Sequence, residues 1–343
     1  MTVIWFALIL ACLLMYVVFD GYDLGIGIAT LAERDERRRR EMLELVAQAW
    51  DGNETWLVLL GVCLWAGFPL AYGTILPHAF LPLVVMLFAL IVRGVAVEMA
   101  SQRPPAPRWE KAFGVASLVA ALAQGAAAGT LAANLTVTGG AYNGSAFGAL
   151  SWYSALTAAA VAAGYLALGY AYAKWKTSSE LRATAGRRGT MAAAAAVVLA
   201  AACLGAAGAT AAPLNLDSPV RAAGFAWLLA FAAAGAVMAA VTLRRSARFD
   251  ALPMWGLVIA AAALLLAVVT ARYPVLVPPS LTVGGSAAPS GTMEFIAIGI
   301  GLDMPLVVFY HWYAHYAFRG RNDTVPEGRP DRPAASTGAS DDH

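Results

Sequence analysis

The chain has 343 residues, 60% of them hydrophobic and only 13% charged, with a formal net charge of +2 and a mean hydropathy of +0.66. A soluble domain carries about 25% charged residues and at most about half apolar ones. The balance excludes a soluble enzyme, a disordered protein and a nucleic-acid binder, and it fits an all-α, polytopic helical membrane protein.

Nine long apolar runs follow one another, at about 3–31, 52–74, 77–100, 112–136, 150–173, 189–212, 222–243, 251–271 and 293–318. Each can cross about 30 Å of hydrocarbon at 1.5 Å per residue. In lipid the backbone must satisfy its own hydrogen bonds, so runs of this length are helices. The start lacks the basic region of a signal peptide, and its apolar run continues into an acidic motif. It reads as the first retained helix.

The loops set the direction of the chain. Arg34, Arg37, Arg38, Arg39 and Arg40 lie in the first loop, and Arg103, Arg108 and Lys111 in the third. The fifth carries Lys174, Lys176, Arg182, Arg187 and Arg188, and the seventh Arg244, Arg245 and Arg248. Arg319, Arg321, Arg329 and Arg332 follow the last run. By the positive-inside rule the N-terminus is periplasmic and the C-terminus cytoplasmic. That alternation requires an odd number of spans and supports nine. Residues 1–319 form one transmembrane domain. The tail 320–343, rich in Pro, Gly, Ser and Asp, is expected to be cytoplasmic and disordered. The middle and later helices are rich in Ala with scattered Gly, which suits close helix packing and equally a genome that favours Ala. No internal repeat is visible.

Polar residues inside the apolar runs are the informative exceptions. A charged side chain at the centre of a membrane helix costs roughly 2.5–3.5 kcal/mol on insertion scales and normally faces protein, water or a partner. Asp20 and Asp23 in Phe19-Asp20-Gly21-Tyr22-Asp23-Leu24-Gly25-Ile26-Gly27 are three apart and share a helix face. Asp51 and Glu54 in Trp50-Asp51-Gly52-Asn53-Glu54-Thr55-Trp56 share another. The third run carries Arg93 and Glu98. Helix one runs inward, so Asp23 lies roughly 12 Å from its cytoplasmic end at 1.5 Å per residue. Asp51 and Glu54 open helix two at that surface, and Arg93 and Glu98 fall in the cytoplasmic half of helix three. All are thus on one side of the membrane, with Asp20 the deepest carboxylate. Two readings compete. In the structural one, Arg93 neutralises a carboxylate, and Trp50, Asn53 and the glycines fix packing, with Asp51 and Glu54 as N-terminal residues of helix two. In the functional one, the carboxylates carry protons inward from the cytoplasm.

The remaining polar residues are less specific. His311 and His315 share a face at a spacing that suits a metal. They also lie in the aromatic run Phe309 to Phe318, where an interfacial anchor is the plainer reading. His78 begins a helix on the outer side, and His343 ends the chain. Asp303, just before Met304-Pro305, is near mid-membrane with no partner evident in the sequence. Cys12, Cys63 and Cys203 lie apart in apolar runs with no ligand spacing and read as small buried hydrophobes. No metal motif, phosphate loop or nucleophile motif is present.

The motifs Asp20-Gly21-Tyr22-Asp23-Leu24-Gly25 and Trp50-Asp51-Gly52-Asn53-Glu54-Thr55-Trp56-Leu57, with the arginine-rich loop between them and Phe68-Pro69 after, resemble subunit II of cytochrome bd-type quinol oxidases, including the cyanide-insensitive branch. Arg93, the stretch Tyr273-Pro274-Val275-Leu276-Val277-Pro278-Pro279-Ser280 and Pro305 before an aromatic C-terminal helix resemble it too. The resemblance covers about residues 3–320; the middle helices match only in hydropathy and order. It implies a multi-pass protein of the bacterial inner membrane whose partner is a subunit I of like fold. That subunit holds the b-type haems and haem d, or a third b-type haem, and oxidises quinol. This chain then ligates no haem or metal itself, supports assembly and lends a proton route to the oxygen-reducing site. The family's proton-route residues correspond to Asp23 and Asp51, with Asp20 and Glu54 beside them and Arg93, Glu98, Trp50 and Asn53 as charge and structural partners. A bound quinone, membrane lipids and a small single-helix accessory subunit complete the implied set, with quinol and dioxygen as substrates of the complex. The rival reading is a stand-alone proton-coupled secondary transporter, which would show two related halves around a midplane site. A passive assembly subunit without a proton role is the third.

Overall fold

The computed structural model describes residues 1–102, 105–132, 137–138, 141–142, 147–177, 180–210, 214–245 and 250–317. Among these, eight helices are long and apolar enough to cross a membrane. They are α1 (Thr2–Ala32), α5 (Phe80–Gln102), α6 (Pro107–Ala132), α7 (Trp152–Lys176), α8 (Glu180–Thr210), α9 (Pro219–Leu243), α10 (Leu252–Arg272) and α12 (Ser290–Ala317). The remaining apolar run, expected at 52–74, is divided into α3 (Trp50–Gly67) and α4 (Pro69–His78). The physical cause is Pro69. Its ring drives the preceding residue out of the α region, and Phe68 accordingly sits at φ −138°, ψ 63°. Pro69 then becomes the first residue of α4, where its missing N–H costs nothing.

The loops carry further elements that were not expected. The arginine-rich first loop folds into α2 (Glu36–Val46), an amphipathic helix that buries Met42, Leu43, Leu45 and Val46. Asp35 caps it by accepting the backbone N–H of Arg38 at 2.9 Å. The loop after α10 forms a small antiparallel hairpin, β3 (Val275–Val277) with β4 (Leu281–Thr282), followed by the short helix α11 (Val283–Ser286). A second hairpin pairs β1 (Val137–Thr138) with β2 (Ala141–Tyr142). The tail from 320, His343, Arg103 and Arg248 lie outside the described residues, as does the side chain of His315.

Helix α1 is the hub, packed against α3, α6 and α7, while α5 lies on α6, α7 on α8, and α9 on α10. Small residues make these crossings close. A Cβ on Gly25 would stand 1.8 Å from the Tyr165 carbonyl oxygen, and one on Gly169 2.4 Å from the Gly25 carbonyl carbon, so α1 and α7 touch backbone to backbone. Gly235 and Gly256 do the same for α9 and α10, each within 2.6 Å of the other's carbonyl oxygen once a Cβ is added. By contrast α12 stands on the rim, touching mainly α3.

The end of the bundle that carries the basic loops is tied by ion pairs. Arg39 bonds Glu110 at 2.5 Å, Glu33 takes Arg38 and Arg188 at 3.0 Å each, and Arg182 meets Asp250 at 2.6 Å. Lys174 is buried with its Nζ donating to the carbonyls of Thr242, Leu243 and Arg245 at 2.6–3.1 Å, which caps the C-terminus of α9. At the opposite end Arg272 donates to the Ala132 carbonyl at 2.8 Å.

Candidate functional site

The polar cluster is built by three helices that meet at α1. Asp20 and Asp23 project from one face of α1, which continues without a break through its glycines because Gly25 and Gly27 fit against α7 and α6. Arg93 comes from the middle of α5 and is completely buried. One guanidinium nitrogen pairs with Asp20 and the other with Glu54 of α3, the latter at 2.5 Å. The Arg93 guanidinium carbon also lies 6.0 Å from the centre of the Trp50 ring, within the range of a cation–π contact. Gly94 lets that ring lie close, since a Cβ there would be 2.9 Å from it.

Asp23 is held differently. Its Oδ2 accepts the Asn53 amide at 2.7 Å, and the same amide nitrogen contacts the Tyr22 hydroxyl at 2.8 Å. Asn53 is itself fully buried. It also lines a cavity of about 100 Å³ together with Trp50, Asp51, Tyr310 and His311. A polar space of that size accommodates several waters. Asp51 is exposed at this cavity, in the first turn of α3. His311 of α12 closes one side, its ring edge-on to Phe19 and Trp56 with centroids 4.1 and 5.7 Å away.

The structure thus brings Asp20, Glu54, Arg93 and Trp50 into one group, and Asp23, Asn53 and Asp51 into a second that leads to the surface. It does not bring Glu98 in. That residue is exposed one turn beyond Arg93 and takes the amide of Gln102 at 2.7 Å instead, because its position on α5 turns it away from α1. Three polar side chains that sequence reasoning missed extend the cluster inward. Gln124 of α6 donates to the Tyr16 hydroxyl at 2.6 Å and accepts from Tyr165 of α7 at 2.8 Å, and Tyr16 faces Asp20. A lone Gln in the Ala-rich α6 was the only signal that could have found them. Asp20 Oδ2 and Asp23 Oδ1 are buried and have no donor among the described residues.

Among the described residues no three His, Cys, Asp or Glu side chains are grouped to hold a metal. Of the described histidines, His78 Nε2 lies 3.2 Å from the Thr130 carbonyl, and His311 lies edge-on to the Phe19 and Trp56 rings. A second space is apolar. A cavity of about 420 Å³ opens between α7, α8, α9 and α10, lined by residues such as Gly164, Leu168, Ala196, Leu229 and Leu257.

Comparison with known proteins agrees with this architecture. Residues 1–318 match the family model of the cytochrome bd terminal oxidase subunit II. Subunit 2 of cytochrome bd ubiquinol oxidase from Bacillus subtilis is 35% identical over 96 residues, 28% of each chain. Subunit 2 of cytochrome bd-I ubiquinol oxidase from Escherichia coli is 30% identical over 132 residues, 37% of this chain and 35% of that one. The aligned stretches therefore span about a third of these curated relatives. A chain of the bd oxidase structure from Geobacillus thermodenitrificans has the same fold at 18% identity, with a TM-score of 0.73, covering 92% of this chain and 98% of that one. The helices that cross a membrane and the match along nearly the whole described chain lead to one conclusion: this is a multi-pass protein of the bacterial inner membrane, and it belongs to the cytochrome bd terminal oxidase subunit II family.

Proposed function

We propose that the chain is the second subunit of a quinol:dioxygen oxidoreductase, that it supports assembly of a haem-bearing subunit I, and that it conducts protons from the cytoplasm toward the oxygen-reducing site. The family match carries the first part. Asn53 carries the last, because this one buried amide touches both the surface cavity beside Asp51 and the carboxylate of Asp23. Intramembrane carboxylates in such series are the usual parts of proton relays.

In this reading the basic end of the bundle is cytoplasmic, in line with the clustering of its Arg and Lys residues, and the N-terminus is periplasmic. Water in the cavity delivers a proton past Asp51 to the Asn53–Asp23 contact. Asp23 Oδ1, which has no donor among the described residues, is the open acceptor that a relay needs. Arg93 pins Asp20 and Glu54 beside the path, and the Tyr16–Gln124–Tyr165 chain orders the inner side. Haems in the partner subunit would supply the electrons and bind dioxygen; this chain supplies protons and a dry wall. The apolar cavity between α7 and α10 suits the isoprenoid tail of a bound quinone. A small accessory helix and lipids would pack on the exposed faces. The transporter alternative is less favoured, since the family model that residues 1–318 match is that of a terminal oxidase subunit.

The decisive test is Asp23→Asn in the complex purified from its own membranes. Oxygen consumption with quinol should slow by roughly tenfold or more, as for loss of a proton-transfer group. The reduced-minus-oxidised haem spectrum and the yield of complex should not change. Full turnover at normal yield removes Asp23 from the route.

A further inference from the structure

Near the end of α12 (Ser290–Ala317), Met304, Val307, His311 and Ala314 are buried or half-buried, while the residues between them from Pro305 to Tyr313 are exposed. Spacings of three and four put these positions on one helix face. Packing alone asks for apolar side chains on such a seam, yet His311 is polar and only 7% exposed. Its ring is edge-on to Phe19 with centroids 4.1 Å apart, and the Phe19 carbonyl lies 3.5 Å from the Asn53 amide nitrogen that also holds Asp23. The same ring lines the cavity of about 100 Å³ with Gln48, Asp51, Asn53 and Tyr310. Around it stand the titratable groups Asp51 of α3, Asp23 of α1 behind Asn53, and Tyr310 of α12 itself, so His311 is the one base among the described residues of the cavity wall. Asn53 Oδ1 and Asp23 Oδ1 are buried acceptors with no donor among the described residues; such atoms call for water or another donor beside them. Imidazole is the side chain that ordinarily exchanges a proton near neutral pH.

We propose that His311 is a proton-transfer residue at the mouth of the route, a role that rests on the proton-conducting reading of Asp23. The neutral imidazole takes a proton from a hydronium ion at the outer side of the cavity and leaves a water molecule there. The imidazolium N–H then gives that proton to a water beside Asn53. The ring ends neutral, and one proton has moved inward. Asp51, exposed in the first turn of α3, stabilises the positive ring by its opposite charge. Asn53 Oδ1 and Asp23 Oδ1 are the acceptors that order the receiving water. The plainer role, a ring that only wedges α12 against Phe19 and Trp56, moves no proton and is served equally well by Phe.

The test is quinol-driven oxygen consumption by the complex purified from its own membranes, expressed per haem so that a lower yield of any variant does not enter. His311→Phe keeps a packed ring and loses the proton site, and its turnover should fall roughly tenfold. His311→Ala should fall as far and leaves room in the cavity for a small solute. Free imidazole should then restore most of its turnover. Pyrazole, a ring of the same size that stays unprotonated at neutral pH, should not. Wild-type turnover in His311→Phe overturns the proposal, and so does slow turnover in His311→Ala that imidazole leaves unchanged, because the ring is then a packing residue. Asp23→Asn in the same assay separates this proposal from the reading it rests on. Slow Asp23→Asn beside fast His311→Phe removes His311 and keeps the route, whereas full turnover in Asp23→Asn removes the route itself.

Discussion

Arg93 holds carboxylates from two other helices while sealed from solvent and lipid. Removing one member of such a group leaves an uncompensated buried charge, at a cost of about 3–5 kcal/mol. Arg93→Leu should therefore lower the thermal midpoint of the detergent-solubilised chain sharply. The triple change with Asp20→Asn and Glu54→Gln should recover part of the loss, because no charge is then stranded. An unchanged midpoint in Arg93→Leu would mean that the group contributes nothing to the fold. At this scale the sequence was informative where spacing dictates direction. Asp20 and Asp23 share a face by helical geometry alone, and Arg93 at like depth was a natural counter-charge. Which carboxylate it would take was not legible, nor that Glu98 would turn away, because that depends on the rotation of α5 about its axis. The Tyr16–Gln124–Tyr165 chain was hidden for a similar reason: tyrosines in apolar runs look like packing until three helices bring their hydroxyls together.

Between elements, contact distance is set by glycine. At Gly25 the obstacle to a side chain is the Tyr165 backbone carbonyl, 1.8 Å from the added Cβ, and backbone cannot swing aside as a side chain can. Gly25→Ala should cost at least the roughly 1–3 kcal/mol of ordinary overpacking. Gly61→Ala, in a place with nothing within 4 Å, should be neutral or slightly stabilising. Recovery of monodisperse chain after a heat step in mild detergent compares them, and equal survival of the two variants would refute the close α1–α7 crossing. The division of the second apolar run into α3 and α4 was also written in the sequence, in Phe68-Pro69, yet hydropathy smooths over a single proline. The cap on α9 by Lys174 was not readable, since a basic residue after an apolar run looks like a loop charge.

Across the whole molecule, the basic end is clamped by ion pairs that join loops distant in sequence. Glu33 is its centre, linking α1 to Arg38 of α2 and Arg188 of α8. Burial works against its charged form, but the backbone N–H of Asp35 and the guanidiniums of Arg38 and Arg188 outweigh burial. They hold the Glu33 carboxyl below the usual glutamate range. A group whose folded value is depressed stabilises fully above its unfolded value, about 4.3 for Glu, and loses that contribution as the pH falls through the folded value. Thermal stability in detergent should thus drop on acidification below about pH 4.3, and the gap between wild type and Glu33→Gln should close over the same interval. Parallel acid profiles for the two proteins would exclude Glu33 as the linked group.

The sequence by itself determined the membrane class, the helix order, the side on which the charges collect, and the two acidic motifs that mark the family. These follow from local quantities: the transfer cost of each side chain into hydrocarbon, the length needed to cross it, and the spacing of residues along a helix. The tertiary structure alone decided which carboxylates Arg93 binds, that Asn53 joins Asp23 to the surface cavity, and that α12 leaves Asp303 facing outward. Those outcomes depend on how helices rotate and how closely glycines let them approach, and such contacts link residues far apart in the chain, where no local pattern records them.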